Sequence, residues 1–163
     1  MYSADVASKL VMFSIAILSI LIVIVGYLSD FVGKPTLYLI GALMIAVGGY
    51  PFYVSVGSGA INPYVLFGVA ALIVSLIAGT FGSLAADLFP TNLRFSGLAI
   101  AYNAAAALLG GFTPLVTSLL TGLTQDHAAP GIFIAAVSVI GVVSVVAILV
   151  AKRRNGGDKA TLG

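Results

Sequence analysis

Gly26-Tyr27-Leu28-Ser29-Asp30-Phe31-Val32-Gly33-Lys34-Pro35 is the stretch on which the reading of this chain turns. It carries one acid, Asp30, and one base, Lys34, between two uncharged apolar runs, Leu10–Leu28 and Thr36–Val56. A helix needs about 20 mostly apolar residues to cross the hydrocarbon core of a bilayer. Both runs meet that length, so the stretch between them reads as a short charged loop at a membrane surface.

Working outward, three further runs reach spanning length: Ile61–Ala86, Phe95–Leu123 and Pro130–Ala151. None of the five contains Asp, Glu, Lys, Arg or His. Hydrophobic residues make up 61% of the 163 and charged residues 7%, with a mean hydropathy of +1.20. Soluble domains carry roughly 25% charged residues, and a chain this apolar needs lipid as its solvent. The fold class expected is all-α and integral to the membrane, with five transmembrane helices over 10–28, 36–56, 61–86, 95–123 and 130–151. Residues 1–151 then form one helical bundle, and 152–163 a basic tail expected to be disordered.

Composition also excludes. Without cysteine there are no disulfides or thiolate metal sites. The pI near 9.0 does not indicate nucleic acid, because the bases sit at span ends and form no soluble basic face. His127 is the sole histidine, and beside Asp126 in a short turn it falls short of the three or four ligands a metal site needs. No base lies near the serines and threonines of the spans, and no glycine loop has the lysine of a phosphate site. The expectation is therefore no enzyme, no cofactor and no metal.

The bases set an orientation. Counted down the chain, Lys34, Arg94, Lys152, Arg153, Arg154 and Lys159 fall on one side and Lys9 alone on the other. The positive-inside bias makes the first side cytoplasmic, in the cell (inner) membrane, with the N-terminus outside and the C-terminus inside. An external N-terminus without a leader, and an odd number of spans, are expected of a chain that starts partway through a longer one. Lys152-Arg153-Arg154 would meet anionic lipid.

Several polar or breaking residues lie within or between the spans. Gly48-Gly49-Tyr50-Pro51 is expected to kink the second span, and Asn62 to cap the third ahead of Pro63. Gly79-Thr80-Phe81-Gly82-Ser83 suits close helix packing, with Thr80 also a candidate for contact with a solute. In Asp87–Arg94, Pro90 stops a helix, Asp87 and Arg94 are placed to pair across the turn, and Ser96 is placed to cap the next helix. The fourth span is the most polar. It holds Tyr102, Asn103, Thr113, Thr117 and Ser118, and reads as broken by Gly110-Gly111 and Pro114. Interrupted helices commonly border transport cavities, so Tyr102, Asn103, Gly110, Gly111, Thr113, Pro114 and Thr117 are candidate lining residues. A structural kink with satisfied hydroxyls is the other reading, and Asn103 has helix–helix contact as its alternative role. The fifth span is apolar nearly all round and reads as peripheral and lipid-facing.

Three of these segments resemble the C-terminal half of major facilitator superfamily transporters, and more narrowly the metabolite:proton symporters, which include proline/betaine, citrate, α-ketoglutarate and shikimate carriers. Gly26–Pro35 resembles the loop between their helices eight and nine, Asp87–Asn103 the loop into helix eleven, and Gly110–Leu115 the broken middle of that helix. The resemblance covers residues 5 to 151 and implies helices eight to twelve of that fold. It implies a gate or hinge at Gly26, Asp30, Gly33 and Lys34, where Phe31 and Lys34 replace the family's arginines. It further implies that Asp87, Pro90, Arg94, Ser96 and Gly97 form a cytoplasmic loop, with Ser96-Gly97 receiving an aspartate of the other half. The function implied is proton-coupled symport of a small osmolyte or organic acid, inactive without the N-terminal half. The partners are that half, the lipid bilayer, a small polar solute and a proton, and no nucleic acid. No span here holds the carboxylate a proton relay normally uses. The alternative is a small membrane interaction or assembly subunit of transporter ancestry with no transport of its own.

Overall fold

The computed structural model describes residues 4–160. The described chain is helical, in the order α1 (Ala4–Val32), α2 (Lys34–Ser58), α3 (Pro63–Ala86), α4 (Arg94–Ala105), a π-helical segment (Ala106–Gly110), α5 (Gly111–Thr124) and α6 (Ala129–Ala160). Five helical stretches are long and apolar enough to cross a membrane: Asp5–Val32, Lys34–Ser58, Pro63–Ala86, Arg94–Thr124 and Ala129–Lys152.

The stretch Gly26–Pro35 is not a loop. α1 continues through Asp30 to Val32, α2 starts at Lys34, and Gly33 alone separates them. Gly33 adopts φ 100, ψ 124, a conformation open to glycine and closed to most L residues. Its N–H closes α1 on the Ser29 carbonyl at 3.0 Å, and its carbonyl accepts from the N–H groups of Thr36 and Leu37 at 3.1 and 3.3 Å. Pro35 stands in the first turn of α2, where its missing N–H costs nothing. One residue therefore reverses the chain, and the charges of the segment lie on helix ends.

The helices pack in a row. α3 lies against both α1 and α2, and α6 lies against α2 on one flank and α5 on the other, while α4 touches α3 only lightly. Small residues permit the close approaches, as they must where lipid supplies no hydrophobic drive between helices. The α2–α6 seam is the tightest. A Cβ on Gly131 would stand 2.6 Å from the Gly49 carbonyl oxygen and 2.7 Å from the Tyr50 Cα, so backbone meets backbone there. One stage further along, Ser138 Oγ donates to the Ala42 carbonyl at 2.7 Å. Gly49-Tyr50-Pro51 thus belongs to a helix crossing, and α2 runs on as helix through Pro51.

α6 departs from the expected uniform lipid-facing helix. Ala129, Gly131 and Val145 are buried, whereas Ile132, Val139, Ile140, Val143 and Val146 are exposed, so one face packs against the bundle and the other is bare. The helix continues to Ala160, past the Ala151 end expected for the span and into the stretch read as a disordered tail. Residues 161–163 lie outside the described residues.

Two helix starts can be compared with expectation. Asn62 caps α3, its side-chain oxygen accepting from the Tyr64 N–H at 3.0 Å. Ser96 does not cap α4. That helix begins at Arg94 behind Leu93, without a side-chain cap, which leaves Ser96 inside the first turn.

Candidate functional site

The two ends of the bundle are each tied by a polar contact between distant residues. At one end Lys34 Nζ, at the start of α2, lies 3.3 Å from Asp87 Oδ2, just beyond α3. The pair replaces the expected Asp87–Arg94 contact: Arg94 is exposed and forms no ion pair among the described residues. With half of the Asp87 side chain exposed, the pair contributes about 0–1 kcal/mol. At the other end Tyr50 Oη donates to Asp126 Oδ2 at 3.2 Å, joining α2 to the turn before α6.

The residues expected to form a gate are close in sequence but differently placed. Gly26 faces α3, where a Cβ would make ordinary contact with the Gly79 carbonyl at 3.8 Å. Asp30 is exposed on the last turn of α1 and has no ion-pair partner among the described residues. Beside it Tyr27 and Phe31, both exposed, stack edge to face with ring centroids 5.1 Å apart. Pro90 and Ser96 are exposed. The Phe89 ring closes over Gly97, where a Cβ would lie 2.5 Å from a ring carbon. The start of α4 is therefore covered on that side by an aromatic ring of its own loop.

The fourth span is continuous, which corrects the expectation of a break. Gly110 and Gly111 both have ordinary helical backbone angles. The interruption is instead the π segment Ala106–Gly110, one turn ahead of Pro114. Pro114 has no N–H for the Gly110 carbonyl, and its ring crowds that carbonyl. Widening the preceding turn by one residue relieves the crowding without breaking the helix.

That extra residue alters which side chains share a face. At about 100° per residue, a straight helix would put Asn103 within about 40° of Pro114, Thr117, Thr121 and Gln125. The π turn advances the register by one, so Tyr102 takes that place. Tyr102 rests against Phe81 of α3, ring centroids 6.3 Å apart, whereas the Asn103 amide donates to its own helix at the Ala99 carbonyl at 2.8 Å.

Most hydroxyls of this span turn back on its own backbone. Thr113 Oγ1 donates to the Leu109 carbonyl, Thr117 Oγ1 to Thr113 at 2.9 Å and Thr121 Oγ1 to Thr117 at 2.9 Å. Even so, α4, the π segment and α5 contain no buried residue. The most polar span of the chain is also the one least covered by the rest of it.

Two of the cavities among the described residues bear on this span and its neighbours. One, of about 360 Å³, lies between α2 and α3 and is lined by apolar side chains such as Met44, Phe52, Val69 and Ile73. The other is an open groove where α5 meets the start of α6. Its walls include Pro114, Thr117, Ser118, Thr121, Gln125 and His127. Of the residues expected to line a cavity, only Pro114 and Thr117 do so at these two places. Thr80 lines neither. It is fully buried, its hydroxyl donating to the Leu76 carbonyl at 2.7 Å. Thr121 and Gln125 escaped the sequence reading, and His127 was weighed only as a metal ligand, although threonines four apart at 113, 117 and 121 mark one helix face. Among the described residues, no group of three or more His, Cys, Asp or Glu lies close enough to hold a metal ion.

Comparison with known proteins bears on this arrangement. The chain is 32% identical over 124 residues to the ectoine/proline transporter of Corynebacterium glutamicum, a match covering 74% of this chain and 24% of the relative. It is 32% identical over 130 residues to a putative proline/betaine transporter of Staphylococcus haemolyticus, covering 76% and 26%. With the proline/betaine transporter of Escherichia coli K12 the identity is 28%, again over 74% and 24%. No family model and no solved structure matches the chain. The chain thus spans about a quarter of the length of the curated relatives it matches. With five membrane-length helices and this similarity over three quarters of its length, the chain is a relative of proline/betaine transporters, consistent with a partial transporter of the major facilitator superfamily.

Proposed function

We propose that the chain is the C-terminal portion of a secondary active transporter, that it contributes to proton-coupled symport of a small osmolyte, and that it works only beside an N-terminal portion. The observation that carries this reading is the bare fourth span. A helix with Tyr102, Asn103 and a ladder of threonines, none of them buried, is a poor surface to leave in hydrocarbon. Further protein against that face would turn it into a cavity wall. Among the described spans the acids, Asp5 and Asp30, stand only near the two ends of α1, so in this reading the coupling group belongs to the other portion. Proline, betaine or ectoine, which the relatives' names carry, are net-neutral zwitterions and suit spans without charge.

In this reading the Lys34–Asp87 end is cytoplasmic, in the cell (inner) membrane, and the Tyr50–Asp126 end is outside. Gly33 is the pivot between α1 and α2, and Asp30 stands free to pair with a helix start of the other half. The chain supplies walls and gate contacts, and no enzymatic step.

The test is reconstitution. The chain is co-expressed with the first seven spans of the Corynebacterium glutamicum ectoine/proline transporter, in cells lacking other osmolyte carriers. The expected result is co-purification of the two pieces and uptake of labelled proline that neither piece supports alone. Co-purification without uptake, over a range of solutes and pH, refutes the transporter reading and favours an assembly subunit.

A further inference from the structure

In the groove beside α5, two hydroxyls have already committed their protons. A carbonyl oxygen can only accept, so each hydroxyl bonded to one has already committed its proton. Thr117 Oγ1 donates to Thr113 and Pro114, and Thr121 Oγ1 donates to Thr117. Gln125 Nε2 donates one of its two protons to the Gly122 carbonyl at 2.6 Å, which leaves Oε1 and the second N–H of that amide free. Two of the polar residues that line the groove, Thr117 and Thr121, therefore offer it oxygen lone pairs and no hydroxyl proton, while Gln125 offers both an oxygen and an N–H. The nearest charge at this end is negative: Asp126, beside His127, accepts from Tyr50 Oη and from the Ala128 N–H. From Pro114 to Gln125 the wall descends about 16 Å along the helix, enough for an amino-acid-sized solute with its water.

We propose that this groove is a recognition site for an ammonium that carries N–H, and that it prefers secondary ammonium zwitterions of the proline type over quaternary ones of the betaine type. Thr117 and Thr121 accept the ammonium protons, with Gln125 Oε1 as the third acceptor. A quaternary nitrogen has no proton to donate. Its methyl groups would face the same oxygens and leave their lone pairs stripped of water without a partner. The inference rests on the transporter reading above and adds to it the place and the chemistry of selection.

The experiment uses the reconstituted pair and compares proline with N,N-dimethylproline, which has the same ring and carboxylate but no N–H. Uptake of labelled proline is measured in competition with each unlabelled compound, for the unaltered chain and for Thr117→Val and Thr121→Val. Valine keeps the shape and removes the oxygen. A hydrogen bond to a charged group is lost with each oxygen, so each variant is expected to raise the KM for proline about tenfold, with kcat little changed. The inhibition constant for N,N-dimethylproline is expected to be about tenfold weaker than for proline in the unaltered chain, and to be unmoved in the variants. A general packing defect would affect both compounds alike. Equal change for both compounds, or no change for either, overturns the inference and leaves the transporter reading standing. An unaltered pair that transports neither compound overturns both.

Discussion

Replacing Gly131 by alanine tests the architecture at its tightest point. The new methyl carbon would lie 2.6 Å from the Gly49 carbonyl oxygen, 2.7 Å from the Tyr50 Cα and 2.9 Å from the Gly49 carbonyl carbon. All three are backbone atoms, so no side chain can swing aside. Reaching an ordinary contact requires α2 and α6 to part by about 0.8 Å, in an interior packed too densely to absorb it. The same movement stretches the Ser138–Ala42 hydrogen bond from 2.7 Å toward the limit of a useful bond. Overpacking of this kind costs about 1–3 kcal/mol, while exchanging glycine for alanine in a helix returns up to about 1 kcal/mol. Gly48→Ala is the matched control, because nothing lies within 4 Å of its added methyl group. It collects the helix term without the clash. Gly131→Ala should therefore be about 1–3 kcal/mol less stable than Gly48→Ala, the clash cost alone, because the helix preference is the same in both. Denaturation in mixed micelles, followed by helix content, measures the gap. Equal stability of the two variants would refute the α2–α6 crossing described here.

Four other outcomes follow from the same contacts. Ser138→Ala should cost about 0.6 kcal/mol and at most about 1.7, the range for hydrogen bonds between membrane helices, in the same denaturation assay. Gly33→Ala should cost about 1–3 kcal/mol, because φ 100 is forced on a residue with a Cβ, and Val32→Ala next to it should not. A double-mutant cycle on Lys34→Ala and Asp87→Asn should give a coupling below about 1 kcal/mol that shrinks as salt is raised. Pro114→Ala restores an N–H for the Gly110 carbonyl, so the π segment should close. Cysteines introduced singly at 102 and 103, in a chain that has none of its own, should then exchange their rates of labelling by a water-soluble thiol reagent.

The spans were legible because bilayer thickness imposes a length on apolar runs, and five runs met it. The Asn62 cap was legible for a local reason too, since the bond involves a neighbour two residues away. Readings that failed needed more than neighbours. Gly26–Pro35 looked like a loop because its charges and glycines are those of a turn, yet a single glycine completes the turn and the remaining residues stay helical. Asp87 had Arg94 within reach along the chain, but the fold brings Lys34 to it from 53 residues away. Pro114 correctly marked a disturbance in the fourth span. The chain answered with an inserted residue one turn earlier, which no pattern of glycine and proline distinguishes from a break.

Sequence alone determined that the chain is a bundle of membrane-length helices, the number of its spans and its resemblance to major facilitator transporters. Each of these depends on composition, on run length or on motifs a few residues wide. Tertiary structure decided which glycines are crossings, which threonines share a wall with His127, and that the most polar helix is left with no buried residue. The physical reason is that a membrane helix satisfies its own backbone whichever neighbours it has. Its choice of neighbour then rests on close contacts between small groups far apart in the chain, and hydropathy does not record them.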